Sequence, residues 1–201
     1  APPSFTPEDV YNLAKRSAGI HHKGYVKALI LYIKELFFLE AELESLEREL
    51  EEEINRISPD EEKLLSSIKG VSPKMSRLFL SEIEDIKKFK SAKSLIKYAG
   101  TDPVTKQSGR WKEYRGISKS GSPYLRNILY QMATGVVMWN RVFKEYYRKK
   151  KAQFGSHKKA MIAVVNKLIR VIWAMLTRGE TFRPEKVSSS IQIYGGRVSH
   201  A

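Results

Sequence analysis

The chain of 201 residues contains no cysteine, which excludes a disulfide framework and a thiolate zinc site. That fits a reducing interior, so a cytoplasmic location is the expectation. Proline and glycine are scarce, at 8 and 12 residues. With few breakers and abundant Leu, Ile, Lys and Glu, local propensity favours helix. No apolar run is free of charge: Tyr25 to Leu39 holds Lys27, Lys34 and Glu35, and Ala160 to Leu176 holds Asn166, Lys167 and Arg170. Neither reads as a membrane span. The opening APPSFTPED has no basic region followed by an apolar stretch, so it does not read as a signal peptide. The histidines, His21, His22, His157 and His200, are scattered and read as solvent or capping residues.

Acidic residues are also in short supply over most of the chain. Residues 63–201 hold 8 Asp/Glu against 29 Lys/Arg, whereas residues 1–62 hold 14 against 7. The basic part presents a strong positive field to any polyanion, and nucleic acid is the usual one. What is present in quantity is apolar surface, 42% of the residues, enough to bury a real core.

The patterning predicts a mainly α fold, in which a long coiled-coil helix precedes a compact helical domain. Thr6, Pro7 and Glu8 form a helix start, and a short helix with its linker occupies residues 1–24. Over residues 25–57 no Pro or Gly intervenes, and Leu29, Leu36, Leu43, Leu50 and Ile57 recur every seven residues, interleaved with Tyr32, Leu39 and Leu46. Such a seam needs a partner, either a second copy of the chain or a helix of the same chain. A homodimer or higher oligomer through this rod is the simpler expectation.

A compact domain is expected over 58–178, beginning with Ser58 as cap and Glu61 in the capping-box position. Within it LLSSIKGVSPKMSRLFLSEI reads as helix, tight turn, helix, either an ordinary αα-hairpin or a helix-hairpin-helix-like motif. In the second case Lys69, Gly70, Ser72 and Lys74 would hold a phosphate on free backbone N–H groups. Ser72 stands where the usual motif has a second glycine. A helix from about Ser91 to Tyr98 precedes a stretch rich in Gly, Ser and basic residues, expected as a loop. Helices are expected from Pro123 to about Lys150 and from Ser156 to Arg178, and the tail 179–201 as irregular. The face of Met161, Val165, Leu168, Ile172 and Trp173 reads as core. In the loop, Trp111 and Tyr114, with Tyr124 after it, alternate with basic residues; stacking on unpaired bases and core packing both explain them.

The ordered segments SIKGVSPKMSRLFLSEI, KKFKSAKSLIKYAGTDPVTKQSG, RGISKSGSPYLRNILYQMA and HKKAMIAVVNKLIRVIWAML resemble the C-terminal transposase domain of the DEDD/serine insertion-sequence transposases, insertion-sequence family one hundred and ten. That group includes the pilin-gene invertases and RNA-guided bridge recombinases. The resemblance covers about residues 62–178. It implies DNA strand cleavage and rejoining by a serine of a Ser-Gly pair, here Ser108 and Gly109. It implies DNA as partner, with a guide RNA as a further one in some members. Lys106, Arg110, Arg115, Lys119 and Arg126 lie close enough in sequence to neutralise phosphoryl oxygens. Ser122 departs from the Asn usual at that point in the family. The group's divalent metal, magnesium by its chemistry, sits in a RuvC-like acidic domain, and nothing upstream of Thr6 could be one. The chain therefore reads as a truncated part, with no cofactor of its own. A non-catalytic nucleic-acid-binding module and a coiled-coil scaffold are the competing readings.

Overall fold

The structure is a computed structural model and describes residues 9, 12, 23–108, 111–185 and 187, without the side chains of 57, 105–108 and 111–115. The chain divides into two compact units, Ala1–Leu46 and Glu47–Ala201. The described residues are mainly α-helical, with one two-stranded sheet.

Asp9 and Asn12 are helical, and the long helix α1 runs Lys23–Ile57 over 35 residues, roughly 50 Å at the α-helical rise. Through the first unit its heptad residues lie open to solvent within the single chain. Leu29, Leu36 and Leu43 are 59%, 53% and 54% exposed, and Tyr32, Leu39 and Leu46 are exposed with them.

In the second unit the last turns of α1 join the core, with Ile54 buried and Leu50 packed against it. Helix α2, Pro59–Ser66, starts on Pro59 with Asp60, Glu61 and Glu62 in its first turn. The expected Ser58 cap is absent, because the Ser58 side chain makes no capping hydrogen bond. Pro59 has no N–H to satisfy, and acids in the first turn favour the helix dipole without a cap. Helix α3, Pro73–Ile83, is capped by Ser72, whose Oγ accepts from the Met75 N–H at 3.3 Å. Arg77 on α3 reaches Glu51 of α1 at 3.2 Å and Glu62 of α2 at 3.1 Å, tying three helices together.

A 3-10 turn over Ile86–Lys88 leads to α4, Ala92–Tyr98, where Ser91 and Ser94 cap each other reciprocally. The expected loop is instead partly a ribbon. Strand β1, Pro103–Ser108, pairs antiparallel with β2, Trp111–Ile117. The expected single helix over 123–150 is likewise two, α5 Pro123–Trp139 and α6 Arg141–Phe154. Asn140 closes one and opens the other: its backbone is extended, and its Oδ1 accepts from the Val142 N–H at 3.1 Å. Helix α7, His157–Arg178, starts on Ser156 and stops at Gly179 in the left-handed conformation. Beyond it the tail is not wholly irregular, since Pro184, Glu185 and Val187 are helical and Val187 is buried.

Helix α7 is the centre of the second unit and packs against α2, α4, α5 and α6. By length and composition it could cross a membrane, yet its apolar residues, Val164, Leu168 and Ile172 among them, form the core of this unit. Truncating one such side chain to Ala costs about 2–5 kcal/mol in interiors of this kind.

Candidate functional site

The β1–β2 ribbon grows from a root built largely of backbone. The Ser122 N–H donates to Tyr98 O at 2.7 Å, the Lys119 N–H to Gly100 O at 3.0 Å, and the Ser118 N–H to Asp102 O at 3.0 Å. These bonds join the end of α4 to the segment that enters α5. Gly121 permits that closeness, because a Cβ there would lie 1.9 Å from Tyr98 O. The Asp102 carboxylate accepts from the Ser118 hydroxyl. Thr101, fully buried, is held by Asn166 of α7: its hydroxyl donates to Asn166 Oδ1 at 2.7 Å, and Asn166 Nδ2 donates to Thr101 O at 3.0 Å. The root is thereby fixed to the core helix.

From the root the strands pair Pro103 with Ile117, then Thr105 with Tyr114, Lys106 with Glu113, Gln107 with Lys112 and Ser108 with Trp111. The register slips by one residue between the first two pairs, which gives β2 the extra residue of a bulge. Gly116, at φ +103°, supplies the conformation such a bulge demands. Ser108 thus ends β1 at the pair farthest from the root. Lys106, Arg115, Trp111 and Tyr114 belong to the same two strands by backbone, while Gly109 and Arg110 lie outside the described residues.

Four other expected phosphate contacts have definite surroundings. Arg126, on the first turns of α5, donates from Nη1 to Ala99 O at 3.2 Å and so braces the root. Lys119 is exposed and holds φ +55°. Lys74 pairs with Glu47 at the α1 end of this unit. Lys69 is exposed at the hairpin turn.

Gly70 itself, φ +101°, turns its backbone against Gly135 of α5: a Cβ on Gly70 would meet Gly135 O at 2.5 Å, and one on Gly135 would meet Gly70 O at 2.1 Å. Ser72 holds φ −84°, within reach of any residue, so the hairpin does not need a second glycine there. The turn spends several of its own donors, with Val71 N–H on Ile68 O, Met75 N–H on Ser72 Oγ and Ser76 N–H on Ser72 O.

Ser122 caps α5, accepting from the Leu125 N–H at 3.1 Å, and donates to Glu82 Oε1 of α3 at 2.6 Å. A serine there performs the capping for which Asn is equally suited. Asn166, Thr101, Glu82, Gly121 and Gly135 were not singled out from sequence, since their partners lie tens of residues away. Among the described residues no three Asp, Glu or His side chains gather as metal ligands. Asp102 and Glu82 are each engaged by a serine hydroxyl.

Part of the chain is similar to known proteins. The chain is 30% identical over 138 residues to the transposase for insertion sequence element IS1111A of Coxiella burnetii, covering 66% of this chain and 38% of that protein. It is 30% identical over 122 residues to the pilin gene-inverting protein of Moraxella bovis, covering 59% and 38%. It is 27% identical over 125 residues to the insertion element IS116 uncharacterized 44.8 kDa protein of Streptomyces clavuligerus, covering 62% and 31%. The chain therefore spans under two fifths of the length of these relatives. Residues 62–148, from the hairpin through the ribbon into α6, match the family described as Transposase IS116/IS110/IS902.

Proposed function

We propose that this chain is the DNA-binding part of a cytoplasmic transposase or recombinase of the IS116/IS110/IS902 family, and that Ser108 is its nucleophile. The observation that carries the reading is the backbone position of Ser108, at the end of a two-stranded ribbon whose root is locked to the core, inside the matched segment 62–148. A fixed root limits the entropy that must be lost to align an attacking atom.

In this reading the Ser108 hydroxyl attacks a DNA phosphodiester. A bond forms from Oγ to phosphorus, the bond from phosphorus to one deoxyribose oxygen breaks, and that oxygen leaves with a proton as a sugar hydroxyl. The serine proton passes to a general base. Attack of a sugar hydroxyl on the phosphoserine reverses the step, so strands rejoin without an external energy source. Lys106, Arg110, Arg115 and Lys119 would hold the developing charge on the phosphoryl oxygens. Trp111 and Tyr114 would stack on bases or sugars exposed there. Arg126 would steady the root more than touch DNA, and Lys69, Gly70, Ser72 and Lys74 would take a flanking phosphate at the hairpin.

Among the described residues the acids do not gather into a two-metal site. A divalent metal is proposed only for an acidic RuvC-like domain working with this one, and this part alone would bind DNA without cutting it. A second copy of the chain, paired through Leu29, Tyr32, Leu36, Leu39, Leu43 and Leu46, completes the proposed assembly, with Leu50 left to the core of its own chain, and a guide RNA is a further candidate partner.

The test is covalent capture on a nicked or junction DNA with the full-length protein. Ser108→Ala is expected to abolish the protein–DNA adduct while the dissociation constant changes less than about threefold. Adducts that persist in that variant refute the nucleophile. A protein that binds DNA but never forms an adduct favours the non-catalytic binding module instead.

A further inference from the structure

The α6–α7 hairpin carries a set of cations that neither the ribbon nor the α2–α3 turn uses. We propose that the groove between the C-terminal half of α7 and residues 180–183 with Val187 binds the phosphate backbone of double-stranded DNA, as a second contact surface separate from the ribbon. The inference rests on the DNA-acting reading above.

The groove is a cavity of 430 Å³ with Lys167, Arg170 and Arg178 of α7 on one wall, and Phe182 and Arg183 on the other. Glu180 is the sole acid among its lining residues. Arg178 and Arg183 have no acidic partner among the described residues, and Arg170 spends only one guanidinium N–H, on Asn166 O at 3.1 Å. Next to it α6 adds Lys150, whose Nζ lies 5.7 Å from the Tyr146 ring centre and 5.3 Å from that of Phe154. Burial holds the Lys167 ammonium below its ordinary pKa, and the neighbouring Arg170 charge adds to the effect. Lys150 is lowered the same way, by burial and then by Lys149.

The shape of the charge selects the ligand. Lys167, Arg170 and Arg178 follow one side of α7 over 11 residues, about 16 Å of helix. A small anion would occupy one cluster; a row of that length fits a polyanion. The aromatic rings nearby are already committed. Phe182 stacks on Phe143 at 6.1 Å, Phe154 lies under Lys150, and burial raises the Tyr146 phenol. Single-strand binding depends on open aromatic faces, and this groove offers phosphate contacts instead. Another cavity, 360 Å³ at the start of β1, differs in kind: Pro103, Phe154, Ile162 and Ala163 wall it, and Lys159 is its one charged lining residue.

The experiment is equilibrium binding of the intact protein to duplex DNA of arbitrary sequence at a series of salt concentrations. The triple variant Arg170→Gln, Arg178→Gln, Arg183→Gln should flatten the plot of log K against log salt by about 0.9 for each phosphate that is no longer neutralised. Arg141→Gln, which removes an exposed arginine already paired with Glu145, should leave the slope as it was. Thr181→Arg, which adds a cation to the same lining, should steepen it, a gain that damaged folding would not produce. An unchanged slope in both the triple and the Thr181 variants overturns the groove while leaving the serine reading intact. A triple variant that weakens single-stranded DNA or duplex RNA more than duplex DNA also overturns it. A wild-type protein that binds no DNA sinks the groove and the DNA-acting reading together.

Discussion

Lys119 combines two costs in one residue. It keeps φ at +55°, a conformation that costs a residue with a Cβ roughly 1 kcal/mol, and it puts a cation at the ribbon root. The conformation is what allows its N–H to reach Gly100 O at 3.0 Å. Substitution can separate the two effects. Lys119→Gly removes the charge and the backbone cost, whereas Lys119→Gln removes the charge alone. If the charge contacts phosphate, both variants weaken DNA binding by a similar factor. The Gly variant should nevertheless melt about 2–4 °C above the Gln variant. Equal melting temperatures, read by circular dichroism, would show that the backbone there relaxes freely. The glycines around it act by what they lack: with a Cβ 1.9 Å from Tyr98 O, no other residue fits at Gly121 without moving the root.

At the scale of elements, the heptad face of α1 is the clearest unfinished surface. Leu36 and Leu43 are exposed in the single chain, so charging them removes little from its own packing. Leu36→Lys with Leu43→Lys should lower the mass measured by light scattering to that of one chain and shift melting of the second unit by no more than a few degrees. A mass unchanged from wild type would exclude the seam as the interface between copies. The elements also show what sequence could and could not announce. Helix α7 was legible because Ser156, an unbroken 3.6-residue apolar pattern and Gly179 all mark the same element. The α1 rod was legible from its sevenfold leucines. The ribbon was not, because VTKQSG and WKEYRGI place charged or polar residues at both alternating positions, so no face repeats with period two. The division at Asn140 was hidden too, since neither Pro nor Gly marks it and the side chain caps α6 from within an apolar stretch.

For the whole molecule, charge and architecture describe one division of labour. The acids collect on α1, which supplies Glu47 and Glu51 to hold Lys74 and Arg77, and the cations collect beyond it on the hairpin, the root and the α6–α7 face. Charge composition exposed that division at once. The Asn166–Thr101 lock stayed invisible, because its residues are 65 apart and each is unremarkable locally. The account turns on Ser108 as the atom that joins DNA, and digestion of a trapped adduct addresses it most directly. Trypsin cuts after Lys106 and Arg110, so the fragment Gln107–Arg110 isolates that hydroxyl from every other serine. Mass spectrometry should find the nucleotide remnant on this fragment. A remnant on the fragment holding Ser118, or on any other, would contradict the account.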